Sequence, residues 1–148
     1  MGSLISIFLL ASSMAMAQVA PDPAIPIAVT EQEARLFVEE YTKRFTKMDL
    51  EAYMALFSER AVENRVLPYA DIRRTYQKTI QVSHSIQYEV KILTIQTYSE
   101  GAFVSGRYKI TQTYKGGGGR AFQGNIQWAL IHEGGVLKVR EINYGIDR

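Results

Sequence analysis

The chain has 148 residues, of which 47% are hydrophobic and 22% are charged, and its formal net charge is +2 at pH 7. These values are typical of one globular domain and exclude a disordered chain. The sequence contains no cysteine, which excludes disulfides, a thiol nucleophile and a cysteine-bound zinc site. Its 17 basic residues are spread along the chain, whereas nucleic-acid-binding proteins usually carry a concentrated basic stripe. We therefore expect no nucleic-acid partner.

The N-terminus resembles a secretion signal. A short apolar run at residues 4–11 is followed by small residues at Ala15 and Ala17, the A-x-A pattern that a signal peptidase reads. The run is much shorter than the roughly 20 residues that cross a bilayer as a helix. The pattern predicts a signal peptide, residues 1–17, and a periplasmic or secreted protein with no membrane insertion after cleavage. Since this stretch has no Lys or Arg, an uncleaved anchor or a mis-assigned start upstream of a cytosolic domain are the alternatives.

The segment after the predicted signal is rich in proline. Residues 18–29 contain three of the four prolines of the chain. Because proline favours extended backbone and forbids helix, this segment is predicted to be a linker. The folded domain is then predicted to span residues 30–148, and no internal repeat divides it.

Helical signals fill the first part of this domain. Thr30 and Glu33 have the spacing of a capping box, and apolar residues recur behind them at helical spacing. Asp49 is positioned to cap a second, shorter helix. A short strand is predicted at residues 61–65, and Pro68 is predicted to open a third helix.

From Ser83 onward the spacing of apolar residues changes from 3.6 to 2, which predicts strands. A slip in this alternation at Leu93 predicts a bulge. Glycines at 116–119 and at 134–135 predict hairpin loops, with a last strand at residues 136–144. Helices followed by antiparallel strands predict an α+β fold, a cone-shaped roll in which three N-terminal helices pack on a curved antiparallel sheet.

Two stretches carry a family resemblance. FVEEYTKRFTKMDLEAYMALFSERAV at residues 37–62 and GNIQWALIHEGGVLKVREINY at residues 124–144 resemble the first helices and the final hairpin of the nuclear transport factor 2-like superfamily. That superfamily includes SnoaL-like polyketide cyclases and ketosteroid isomerases. Among its subgroups, the chain is most similar to secreted bacterial domains such as those appended to cell-wall L,D-transpeptidases. The resemblance implies a pocket between the helices and the concave face of the sheet, and a homodimer formed through the sheet.

Aromatic and polar residues fall on the apolar side of the predicted elements. We predict five ligand-binding residues from this pattern: Tyr41, Tyr88, Tyr108, Gln112 and Trp128. Such a set would line an apolar pocket with a few polar groups. The alternative interpretation is a packed aromatic core whose hydroxyls and indole N–H find local partners.

Titratable residues provide no catalytic pair in the predicted elements. His84 and His132 lie at strand ends and are interpreted as solvent-exposed, and two isolated histidines give no metal-site pattern. Glu141 is interpreted as an outward residue paired with a cation on a neighbouring strand. No nucleotide-binding motif is present. We therefore predict no catalytic residue, no metal and no cofactor.

These observations predict an exported, non-catalytic binding module. It would hold a small ligand, or a cell-wall-related or other envelope partner, in the cone between sheet and helices. Two alternatives stay open, a small-molecule isomerase or lyase of the SnoaL or ketosteroid isomerase type and a purely structural dimerisation domain. An isomerase needs a tuned base such as Asp, Glu or His inside the pocket, and a filled cone would favour the structural role.

Overall fold

The computed structural model describes residues 28–148. The predicted signal peptide and almost all of the predicted linker lie outside the described residues. N-terminal sequencing of the protein as its host produces it tests the predicted cleavage after Ala17. Within the described residues, no helix is both long enough and apolar enough to cross a membrane.

Three helices form at the predicted places, and they are α1 Glu31–Thr46, α2 Leu50–Met54 and α3 Tyr69–Val82. The predicted caps of the first two are present. The Thr30 hydroxyl accepts a hydrogen bond from the backbone N–H of Glu33 at 3.1 Å, and the Asp49 carboxylate accepts one from Ala52 N–H at 3.1 Å. Each bond satisfies a backbone donor that the first helical turn would leave unpaired.

Six strands form one sheet in the order β2-β1-β6-β5-β4-β3. Their bounds are β1 Phe57–Glu63, β2 Leu67–Pro68, β3 Ser83–Thr97, β4 Gly101–Tyr114, β5 Gly119–Glu133 and β6 Val136–Tyr144. Strands β3 to β6 form the antiparallel meander that the alternation of apolar residues predicts. The parallel pairing of β1 with β6 was not predicted, because it joins distant parts of the chain.

The long strands bend at bulges. The β3–β4 register shifts between Ile92 and Thr94, which places an irregularity at the predicted position. Leu93 lies at this irregularity and is exposed, because the alternation of sides is interrupted there. A second shift interrupts the β5–β6 pairing. Such irregularities favour a curved sheet, and the predicted α+β roll with helices packed on a curled, mostly antiparallel sheet is confirmed.

Close packing also positions the C-terminal residues beside β5. An added Cβ at Gly124 would lie 1.8 Å from the carbonyl oxygen of Gly145, so only glycine fits there. The C-terminal residues therefore run directly against β5, where Gly145 N–H donates to the Asn125 carbonyl at 3.0 Å. This arrangement fixes the end of β6, where Tyr144 lines the cavity described below.

The core lies between α1 and the concave face of the sheet. Tyr41 of α1 packs edge-on against Trp128 of β5, with ring centroids 5.5 Å apart, and also contacts Tyr53 at 5.1 Å. All three side chains are fully buried. Aromatic pairs in these tilted and edge-on arrangements add roughly 0.5–1.5 kcal/mol each beyond the area that they bury.

Candidate ligand-binding cavity

A cavity of about 130 Å³ lies between the helices and the concave face of the sheet. Fourteen residues line it: Tyr41, Phe45, Tyr53, Thr75, Tyr76, Thr79, Ile86, Tyr88, Tyr108, Ile110, Gln112, Arg120, Phe122 and Tyr144. Eight of the fourteen are aromatic, and Arg120 is the one among them that carries a formal charge. The cavity is therefore an aromatic chamber with a few polar groups.

The structure brings four of the five predicted site residues together in this lining. Tyr41 enters from α1, Tyr88 from β3, and Tyr108 and Gln112 from β4. Trp128 is not among the lining residues, since Tyr41 lies against its ring. That these four residues bind a ligand stays a prediction. Trp128 lies in the core instead.

Sequence reasoning missed Glu63, which is 2% exposed at the end of β1. One carboxylate oxygen accepts a hydrogen bond from the Tyr144 hydroxyl at 2.5 Å, and the other accepts one from the Tyr76 hydroxyl at 3.0 Å. Both phenols line the cavity. Glu141 was the acid considered within the predicted strands, so this buried carboxylate beside the cavity was not predicted.

The signal that would have found Glu63 is the alternation along its strand. Ala61 and Glu63 are two residues apart and so share one face of β1, and both are buried. The predicted strand at residues 61–65 was too short, because β1 runs from Phe57 to Glu63. The predicted strand shares only residues 61–63 with β1, and three residues are too few to show which side of a strand faces inward.

The phenols around Glu63 are held in their protonated form. Burial raises the pKa of Tyr76 well above its usual value, and neighbouring Tyr53 and the Glu63 carboxylate raise it further. Burial is also the main cause that raises the pKa of Tyr144, followed by its hydrogen bond to Glu63. Both hydroxyls therefore remain donors near neutral pH, as the hydrogen bonds to the carboxylate require.

A prediction follows for the Tyr144–Glu63 hydrogen bond. Tyr144→Phe should lower the free energy of unfolding by about 1–3 kcal/mol, because a buried carboxylate oxygen loses its donor. Chemical denaturation at pH 7 measures this loss. The matched control is Tyr98→Phe, since Tyr98 is exposed and its hydroxyl makes no hydrogen bond within residues 28–148. Equal unfolding free energies for the two variants would contradict the assignment.

Gln112 and Arg120 form the polar side of the cavity. Arg120 Nε donates to Gln112 Oε1 at 2.8 Å, and Gln112 Nε2 donates to the Ser83 hydroxyl oxygen at 2.7 Å. Ser83 in turn donates to the carbonyl of Thr79 at 2.5 Å. Gln112 and Ser83 are both buried, so the inner part of this chain of bonds is shielded from water and fixed to the last turn of α3, while Arg120 is exposed at its outer end.

The two histidines and Glu141 lie outside this chamber. His84 is exposed, as predicted. The prediction for His132 was wrong, because its ring is only 21% exposed and its Nε2 lies 2.6 Å from a Glu33 carboxylate oxygen, where the first turn of α1 meets the end of β5. Glu141 accepts a hydrogen bond from Asn143 at 2.7 Å and forms no ion pair with any described cation. Across residues 28–148, no three metal-binding side chains cluster at ligating distance.

Comparisons with known proteins show what this architecture resembles. No known protein-family profile and no curated protein sequence matches the chain, but many solved structures do. A nuclear transport factor 2-like superfamily protein from Salmonella enterica is 14% identical, with a TM-score of 0.68 over 79% of this chain and 90% of its own. A ketosteroid isomerase-like protein from Erwinia carotovora atroseptica is 17% identical, with a TM-score of 0.64 over 81% of this chain and 99% of its own.

A third similar structure is larger than this chain. Bd1075 from Bdellovibrio bacteriovorus is 13% identical, with a TM-score of 0.69 over 78% of this chain and 41% of its own, so the present chain spans less than half of its length. At such identities the likeness concerns the fold alone. The described residues have the nuclear transport factor 2-like fold, while the narrower resemblance to transpeptidase-appended domains and the homodimer through the sheet stay predictions. Sedimentation analysis tests the homodimer.

Proposed function

We propose that this domain is an exported, non-catalytic binding module that holds a small ring-bearing molecule in the aromatic cavity. The export part of the proposal rests on the signal-like residues 1–17. The binding part rests on one observation, an aromatic chamber with buried, ordered polar groups between α3 and the sheet. Ligand sites are typically such apolar concavities with a small number of placed polar groups.

The size of the cavity limits the ligand. At about 130 Å³, it is close to the roughly 150 Å³ apolar cavity that is known to take up benzene. Drug-sized ligands occupy pockets of about 300–1,000 Å³. A single substituted ring therefore fits the chamber, whereas a polymer could insert only one ring or one side group.

Exposed lining residues show where a ligand would enter. Thr75 on α3 and Arg120 at the start of β5 both line the cavity and are exposed to solvent. Opposite them, Tyr41 and Tyr53 are fully buried. We therefore infer that the chamber opens between α3 and the β4–β5 hairpin and ends against α1 and α2.

The buried Glu63 favours a second candidate, a small-molecule isomerase or lyase. A buried carboxylate beside a pocket is a potential general base. However, both of its oxygens accept hydrogen bonds from phenols, and the two phenols rather than Glu63 line the cavity. This geometry favours a supporting role for the carboxylate, and binding is the function that the site supports better. Isomerisation of 3-cyclohexenone that is lost in Glu63→Gln would favour the enzyme instead.

Filling the cavity with a larger side chain tests the binding proposal. Thr79 of α3 lines the cavity and is half-buried, so Thr79→Trp should occupy the space that a ring would use. We expect benzamide, titrated against the labelled protein, to perturb backbone amide resonances at Gln112 and Ile110. In Thr79→Trp its affinity should fall at least about tenfold, which corresponds to about 1.4 kcal/mol.

The matched control is Thr97→Trp. Thr97 is exposed at the far end of β3 and is not part of the cavity lining, so the same residue change there should leave benzamide binding unaltered. The proposal is contradicted if the two variants weaken binding equally, or if Thr79→Trp folds normally and binds benzamide as the parent does.

A further inference from the structure

We propose that the ligand carries a carboxylate and that Arg120 is the residue that selects it; this inference rests on the proposed function of the cavity. Arg120 is the one formally charged side chain among the fourteen lining residues. It stands at the exposed end of the chamber, where an anion could keep part of its hydration while an attached ring enters the aromatic interior.

The hydrogen-bond chain behind Arg120 fixes how its neighbour points. Ser83 has a single hydroxyl hydrogen and donates it to the Thr79 carbonyl, so toward Gln112 it acts as an acceptor. The amide nitrogen of Gln112 must then face Ser83, and its oxygen faces Arg120. The donor and acceptor roles of Ser83 and Arg120 thus determine which way the Gln112 amide points. Distances alone would not distinguish its oxygen from its nitrogen.

Two contacts restrain the Arg120 guanidinium. Arg120 Nε donates to Gln112 Oε1 at 2.8 Å, and the guanidinium carbon lies 4.9 Å from the centroid of the Phe122 ring. A cation over an aromatic face is attracted to it. These two contacts restrain the side chain before any ligand arrives, which lowers the entropy that binding must overcome.

The two terminal nitrogens of Arg120 are left without a partner. Within residues 28–148, neither Nη atom of Arg120 makes a hydrogen bond or an ion pair. Five other arginines pair with carboxylates. Among the described arginines that do not, Arg120 is the one that lines the cavity. The free edge of the guanidinium, with one N–H from each Nη atom, matches a carboxylate through two parallel hydrogen bonds. The ligand class is therefore a small aromatic or alicyclic carboxylate.

The test uses two probes of nearly equal size, the benzoate anion and the neutral benzamide, titrated by calorimetry at pH 7. The parent protein should bind benzoate at least about tenfold more tightly than benzamide. Arg120→Gln should lose this preference and bind the two alike. Lys109→Gln is the matched control, because it removes one exposed positive charge from β4 without touching the cavity, and it should keep the preference.

The outcomes separate the two proposals. Benzamide binding that equals or exceeds benzoate binding in the parent overturns the carboxylate inference and leaves the cavity as the binding site. The inference also fails if Lys109→Gln removes the preference as fully as Arg120→Gln does, since a general charge effect would then explain it. If neither probe binds the folded parent protein, the proposed function fails and the inference fails with it.

Discussion

Raising the pH above about 10 is expected to unfold the domain steeply. Tyr41 and Tyr53 are fully buried in the aromatic core, and burial raises the pKa of both phenols well above the usual value of 10.0. Burial also raises the pKa of Tyr88. These groups can ionise freely only in the unfolded chain, so alkaline solution favours unfolding.

The sign and size of the effect follow from proton linkage. Between the unfolded and folded pKa values, the folded state keeps phenol protons that the unfolded state has lost, so stability falls as the pH rises. Below about pH 10 the full contribution is present. Above it, each buried phenol costs about 1.4 kcal/mol per pH unit, or roughly 3 kcal/mol per unit for Tyr41 and Tyr53 together. A rise of two pH units therefore lowers the free energy of unfolding by an amount comparable to the roughly 5–15 kcal/mol that stabilises a typical domain.

Urea unfolding measured at intervals of pH by circular dichroism checks this expectation. Tyr53→Phe is the informative variant, because the Tyr53 hydroxyl is buried without a hydrogen-bond partner in the described part of the chain. Its removal should cost little at pH 7 and should reduce the alkaline slope by about 1.4 kcal/mol per pH unit. A slope that is the same in parent and variant would contradict the buried state of Tyr53.

Trp128→Ala is expected to produce the largest loss of stability from a single substitution in the core. The indole is 1% exposed and packs edge-on against Tyr41. Truncating a buried tryptophan to alanine typically costs about 3–5 kcal/mol, because apolar contacts are lost and a cavity remains. A surface ligand contact would behave differently, since its loss would weaken binding while the fold stayed intact.

Denaturation of Trp128→Ala and of Phe103→Ala distinguishes these roles. Phe103 is also aromatic but is 53% exposed on the outer side of β4, so its truncation should change the unfolding free energy by less than about 1 kcal/mol. Far-ultraviolet circular dichroism is the appropriate signal, because Trp128 is the single tryptophan of the chain. A loss below 1 kcal/mol for Trp128→Ala would refute its place in the core.

The fold could be predicted from the sequence because its signals are local. Helical spacing, the caps at Thr30 and Asp49, and two-residue alternation after Ser83 each depend on neighbouring residues, and all of them formed as predicted. The parallel pairing of β1 with β6 could not be predicted in this way. It joins segments about 80 residues apart, and no local pattern encodes which strand edge receives β1.

The candidate site was partly predictable for the same reason. Alternation placed Tyr88, Tyr108 and Gln112 on the inner face, and all three line the cavity. Alternation could not distinguish Trp128 from these three residues. Whether an inward side chain lines the cavity or packs against α1 depends on where α1 crosses the sheet. Glu63 was missed because the predicted strand covered only the last residues of β1, and because its partner Tyr144 lies 81 residues away in the sequence.

Nuclear Overhauser contacts between a bound single-ring probe and the labelled protein test the central claim most directly. The ring protons of benzoate, or of benzamide if the carboxylate is not selected, should show contacts with the methyl groups of Ile86, Ile110 and Thr79, which line the chamber. Contacts confined to outer-face residues such as Thr94 and Ala129 would place the ligand on the opposite side of the sheet and would contradict a binding site between the helices and the concave face.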